Sequence, residues 1–247
     1  MRINNLKIIN YTNIKIIGES LNSGDDFYIS SNSYDFELDY LLFFDSRGIG
    51  KKYEGSIAHR LVSMLTAKGK KYLIICRPLE LTVYATLINF LNYNQIKPAK
   101  IITNLGFVDF TPKKKSILED IIQQVEFAVG QNIADAVFCE NYISSEGVVP
   151  IYYNQYKPEY RQAIEKISAK IPMVIINTPV TDPNIRIERL RPQSFYQCQF
   201  MTINFNRLIK HAIVVDMPKI SLEHTYDAVH YTDFGNELIF SEVESYI

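Results

Sequence analysis

Leu38-Asp39-Tyr40-Leu41-Leu42-Phe43-Phe44, followed at once by Asp45-Ser46-Arg47-Gly48-Ile49-Gly50, is an apolar run that stops in a glycine turn. A short apolar run bounded by turn residues is the pattern of a buried strand. Downstream the period changes. Ser56 to Lys68 places Ile57, Leu61, Met64 and Leu65 at helical spacing, Tyr72 to Cys76 returns to a strand, and Glu80 to Tyr93 is helical again through Val83, Leu87, Ile88 and Leu91. Lys100 to Thr103 reads as a strand that ends in Asn104-Leu105-Gly106-Phe107-Val108-Asp109. Ser116 to Gly130 then carries Ile117, Ile121, Val125, Ala128 and Val129 on one helical face. Strands separated by helices predict a mostly parallel central sheet covered on both sides, an α/β three-layer sandwich.

Working outward, Ile14 to Ile17 reads as an earlier strand that empties into Gly18-Glu19-Ser20, and Leu21 to Tyr34 as a polar loop. On the other side, residues 131–160 lose the regular pattern and carry Tyr142, Tyr152, Tyr153, Tyr156 and Tyr160, which marks a tyrosine-rich insertion or lid. Pro158 to Ala169 predicts a helix, Met173 to Ile176 a strand, Gln193 to Lys210 a helix and Ile213 to Val215 a last strand. Asp233 to Tyr246 closes the chain as a helix. With no internal repeat and no interdomain linker, residues 1–247 read as a single domain.

With 47% hydrophobic residues among 247, the chain can bury one large core. Twenty-six basic residues against 27 acidic ones leave a net charge of -1, so no overall field recommends nucleic acid or a membrane surface as partner. Cys76, Cys139 and Cys198 are few and lie in or beside apolar runs, the usage of reduced thiols, which predicts a cytoplasmic protein. Neither a signal-peptide pattern nor a stretch of roughly 18 apolar residues is present. Oligomeric state is not legible.

In a parallel sheet, ligands collect beyond the carboxyl ends of the strands. Gly18-Glu19-Ser20, Gly48-Ile49-Gly50 and Asn104-Leu105-Gly106 all leave predicted strands there. Asp227-Ala228-Val229-His230, just ahead of the last helix, puts an acid three residues before a histidine, a compact way to hold an imidazole in one tautomer beside a nucleophile. Taken singly these features are bland: Gly-x-Ser is ordinary turn chemistry, and the aspartate could cap a helix.

Other chemistries find less support. His59, His211 and His224 lack metal-ligand spacing and no Cys-x-x-Cys occurs, so neither metal nor cofactor is implied. Gly48-Ile49-Gly50-Lys51 lacks the first glycine of a phosphate loop, and no dinucleotide Gly-x-Gly-x-x-Gly appears. Gly18-Glu19-Ser20-Leu21-Asn22 also departs from the Gly-x-Ser-x-Gly elbow. Arg186, Arg189 and Arg191 form a basic loop open to two readings, a solvated surface or an anion site.

In chain order, Gly18-Glu19-Ser20, Arg47-Gly48-Ile49-Gly50, Gly106-Phe107-Val108-Asp109 and Asp227-x-x-His230 resemble the blocks of the SGNH (GDSL-type) hydrolases. The resemblance implies a flavodoxin-like SGNH fold and a serine esterase that acts on a small acyl ester, with an O-acetyl group on a carbohydrate as the candidate substrate. It assigns Ser20 as nucleophile, His230 as base and Asp227 as the group that orients it. The oxyanion hole would comprise Ser20 N–H, Gly50 N–H (Gly48 being the alternative) and Asn104. Asn104 enters because Val108 stands where the family has an asparagine, and its side chain cannot donate a hydrogen bond. Acyl transfer to a sugar hydroxyl and a silent binding domain are left open.

Overall fold

The computed structural model describes residues 28–31, 37–50, 52–77, 83–94, 96–144, 147–181 and 192–247. The predicted strand over Ile14 to Ile17, the Gly18-Glu19-Ser20 turn and the arginine loop lie outside them.

Strands β1 (Tyr28–Ser31), β2 (Glu37–Asp45), β3 (Tyr72–Arg77), β4 (Lys97–Thr103), β7 (Met173–Ile176) and β8 (Ala212–Val215) form one sheet in the order β1-β3-β2-β4-β7-β8. The last five are mutually parallel, and β1 pairs antiparallel to β3. Counted along the chain, the five parallel strands run 2-1-3-4-5, the flavodoxin-like order, and its switch point lies between β2 and β4. The α/β sandwich expected from the alternation is the fold observed.

The parallel strands β2, β3 and β7 read as continuous apolar runs because both of their faces are buried. From β2, Leu41 and Phe43 enter one core while Leu42 and Phe44 enter the other. Leu73 and Ile75 of β3, and Met173 and Ile175 of β7, follow the first pair; Ile74, Cys76, Val174 and Ile176 follow the second. The first core is closed by α2 (Tyr84–Tyr93), α4 (Lys115–Val129) and α5 (Pro158–Ser168), the second by α1 (Ile57–Ala67) and α7 (Asp233–Val243). Fully burying one such side chain stabilises by about 1.5–3 kcal/mol, so the two cores dominate the folding free energy.

Local signals set the helix ends. Ser56 Oγ accepts from His59 N–H at 3.1 Å to start α1, and Pro158 occupies the first turn of α5, where no N–H is needed. Gly130 ends α4 at φ 81°, a conformation in which glycine carries no Cβ penalty. The short α3 (Phe107–Phe110) follows β4, and α6 (Gln193–Arg207) precedes β8.

Two segments differ from the sequence reading. Tyr28–Ser31, within the stretch read as loop, is the antiparallel edge strand β1. The tyrosine-rich segment folds as a hairpin of β5 (Ala134–Ser144) and β6 (Gly147–Tyr156), a second sheet with a bulge between Phe138 and Glu140. Lys113 N–H donates to Tyr152 O at 2.9 Å, and Ser194 N–H to Glu140 Oε1 at 2.8 Å, which tie the hairpin to the body. Among the described residues no helix is long and apolar enough to cross a membrane.

Candidate active site

β2 ends at Asp45, whose carboxylate accepts from Arg47 N–H at 2.8 Å and so caps a single 3-10 turn over Ser46–Gly48. Ser46 is the first residue of that turn, where the backbone N–H has no acceptor within the turn. It stands just beyond the carboxyl end of β2, at the switch point. Gly48 is needed for close approach, because a Cβ there would lie 2.5 Å from Phe44 Cβ.

The turn rests on a buried polar lock. Asp45 and Arg47 form an ion pair of 2.8 Å with side chains 1% and 2% exposed. Asn104, at the end of β4, accepts from Asp45 N–H at 2.9 Å and donates Nδ2–H to Asp45 Oδ1 at 3.0 Å. Burial works against the charge of Arg47, but Asp45, together with Tyr231 and Tyr84, outweighs it and the pKa is raised.

The second half of the site is the loop between β8 and α7. Tyr226 N–H and Thr225 Oγ1–H both donate to His230 O at 3.0 Å and close the loop. Inside it, Asp227 Oδ1 accepts from Val229 N–H at 3.1 Å and from His230 N–H at 2.8 Å. The tight turn forces Ala228 to φ 66°, a left-handed conformation unusual for alanine. Thr232 Oγ1 accepts from Gly235 N–H and starts α7 directly after the loop.

These two turns meet. His230 Nε2 lies 3.2 Å from Ser46 Oγ, and His230 Nδ1 lies 3.1 Å from Asp227 Oδ2. A carboxylate can only accept, so Nδ1 carries the proton and the lone pair of Nε2 faces the serine hydroxyl. His230 and Asp227 side chains are 29% and 16% exposed, so the serine–histidine face is open to a ligand. Beside the apolar cluster of Phe107, Phe195, Ala228 and Val229, a narrow cleft too small to hold a water molecule is walled by Arg47, Thr178 and Tyr231.

The structure thus brings together Asp227 and His230 of the residues expected from sequence, with Ser46 as the hydroxyl that meets them. Ser20 lies outside the described residues. Gly50, at φ 61°, donates its N–H to Ser46 O at 2.8 Å, and Asn104 donates one Nδ2–H to Asp45; both support the serine turn. Val108 packs between two apolar clusters. Ser46 was marked in the sequence by Asp45-Ser46 at the end of the apolar run from Leu38 to Phe44, where an acidic residue precedes the serine as Glu19 precedes Ser20.

No protein-family model and no curated protein sequence matches the chain. Among solved structures, an acetyl xylan esterase is similar over 84% of this chain and 99% of its own, with TM-score 0.46 and 14% identity. A family two carbohydrate esterase from Clostridium thermocellum, in complex with cellohexaose, is similar over 85% of this chain at TM-score 0.41 and 12% identity; the match spans 64% of that esterase's length. A GDSL-like lipase from Parabacteroides merdae is similar over 85% of this chain and 97% of its own, with TM-score 0.39 and 12% identity. Each likeness is one of fold, to proteins described as esterases or as a GDSL-like lipase.

Proposed function

We propose that the chain is a serine ester hydrolase of SGNH type in which Ser46 is the nucleophile, His230 the general base and Asp227 the group that orients it. The observation that carries this reading is the continuous hydrogen-bonding line from Ser46 Oγ through His230 to Asp227, with links of 3.2 and 3.1 Å.

The chemistry follows from that line. As Ser46 Oγ attacks the acyl carbonyl carbon, its proton passes to His230 Nε2, and Asp227 stabilises the imidazolium. Ser46 N–H, at the start of its 3-10 turn, is the donor we assign to the oxyanion; losing one such donor typically costs about 100- to 1,000-fold in rate. Collapse of the tetrahedral intermediate breaks the ester C–O bond, and the leaving alcohol takes the proton from His230. Water then attacks the acyl-serine, gives its proton to His230, and releases the carboxylic acid as Ser46 regains its hydrogen.

For substrate we propose a small acyl ester, with an O-acetyl group on a carbohydrate as the favoured case. Aromatic side chains on the hairpin support a sugar-facing surface, since Phe138 is 53% exposed and packs edge-on against Tyr152. Acetate release from an acetylated xylo-oligosaccharide and from 4-nitrophenyl acetate tests the reading. Wild type is expected to turn over both, and Ser46→Ala to lose about 10,000-fold or more. A Ser46→Ala protein with wild-type turnover would refute the assignment.

A further inference from the structure

Arg47 follows the candidate nucleophile in sequence, yet its guanidinium is buried and reaches well beyond its own turn. Nε–H donates to Asp45 Oδ1 and Oδ2 at 3.1 and 3.0 Å, at the end of β2. Nη2–H donates to Asn104 O at the end of β4, and Nη1–H donates to Thr178 Oγ1 at 2.8 Å, in the loop that leaves β7. One side chain therefore ties together the carboxyl ends of three neighbouring parallel strands. The guanidinium plane is also backed by Phe107, whose ring centroid lies 4.8 Å away.

The tie continues to the histidine loop. Three residues after Thr178, Thr181 donates its hydroxyl to Ala228 O at 3.2 Å, inside the Asp227–His230 turn. Gln199 holds Thr181 from both sides, accepting its N–H at 3.1 Å and donating to its hydroxyl at 3.0 Å. Tyr231, the neighbour of His230, lines the same narrow cleft as Arg47 and Thr178.

We propose that Arg47 is a positioning residue that sets the distance between Ser46 and His230, by locking the serine turn onto three strand ends and, through Thr178 and Thr181, onto the loop that carries the histidine. This inference rests on the serine-hydrolase reading above. A planar fork suits the task because its several donors leave in fixed directions, whereas a lysine ammonium on a flexible stem would satisfy the charge of Asp45 without fixing the strand ends. Arg47 touches no reacting atom. Its effect is on geometry, and a misplacement of about 1 Å between reacting groups can cost about 100-fold in rate.

Two variants of the full chain test this, Arg47→Lys and the milder Thr178→Val, which removes only the acceptor for Nη1–H and keeps the Asp45 pair. Both are assayed with 4-nitrophenyl acetate well below their melting temperatures, and melting curves are recorded alongside. The expected result is a fall in kcat of about 100-fold for Arg47→Lys and about 10-fold for Thr178→Val, with KM within about twofold of wild type. If Arg47→Lys does not fold, Thr178→Val decides. A folded Thr178→Val protein with wild-type kcat, or with a lowered melting temperature as its sole change, overturns the positioning role. Wild type that neither hydrolyses the ester nor reacts with a fluorophosphonate at Ser46 overturns the underlying reading instead, so the two failures are distinguishable.

Discussion

Asp227 does two things with one carboxylate. Its Oδ1 accepts the Val229 and His230 N–H groups that shape the turn, and both oxygens lie beside His230 Nδ1, Oδ1 at 3.2 Å and Oδ2 at 3.1 Å. In Asp227→Asn an amide oxygen that keeps the backbone bonds takes the place of Oδ1, which leaves the NH2 at the place of Oδ2, the nearer of the two to Nδ1. Two donors would then oppose each other, the ring would shift to the tautomer with a proton on Nε2, and that proton would point at Ser46. The expected outcome is a folded protein with kcat lowered by about 10,000-fold, checked by ester turnover beside a melting curve. Ala228, one residue on, is held at φ 66° in an apolar cluster. A β-branched side chain tolerates that conformation poorly, so Ala228→Val should destabilise the fold by about 1–3 kcal/mol in urea titration and depress turnover as the turn distorts.

Between elements, packing of the serine turn against β2 is tight. Gly48→Ala would place a methyl 2.5 Å from Phe44 Cβ, so either the turn or the end of β2 must shift. A loss of about 1–3 kcal/mol is expected, with activity falling more than stability alone explains, because the displaced segment carries Ser46. A different junction, where α3, α5 and α2 meet, buries Asp109 completely and leaves its Oδ2 without a partner, while Oδ1 accepts from Tyr160 Oη at 2.7 Å and Tyr84 N–H at 3.3 Å. Burial pushes the Asp109 carboxyl up to about 6 despite those bonds. Below about pH 4 both folded and unfolded states hold this proton; as pH rises to 6 the unfolded state releases it first. This group therefore lowers stability with rising pH across that window, by an amount on the order of 3 kcal/mol. Melting temperatures from pH 4 to 7 should fall more steeply for wild type than for Asp109→Asn. Parallel curves would contradict the buried, proton-holding carboxyl.

At the scale of the whole molecule, the sheet was legible because the parallel strands β2, β3 and β7 are covered on both faces, so Leu41 to Phe44, Leu73 to Cys76 and Met173 to Ile176 carry unbroken apolar runs. The hairpin was not legible: β6 alternates irregularly between exposed and buried positions, and β5 is interrupted by a bulge at Cys139, which breaks the period of two. β1 escaped notice because an edge strand need not be apolar on both faces. Asp227 and His230 could be read locally, since three residues of spacing define their pairing. Ser46 could not, because its partner His230 is 184 residues away, while the expected nucleophile Ser20, after its glycine, lies outside the described residues. The mark of Ser46 is physical: an aspartate that caps the turn while buried against an arginine, which Phe44-Asp45-Ser46-Arg47 supplies.

The most direct test of the central claim is the site of fluorophosphonate labelling, located by peptide mass spectrometry on wild type, Ser46→Ala and Ser20→Ala at neutral pH. One phosphonyl adduct on Ser46 is predicted for wild type and for Ser20→Ala, and none for Ser46→Ala. An adduct on Ser20, or labelling that persists in Ser46→Ala, would contradict the account.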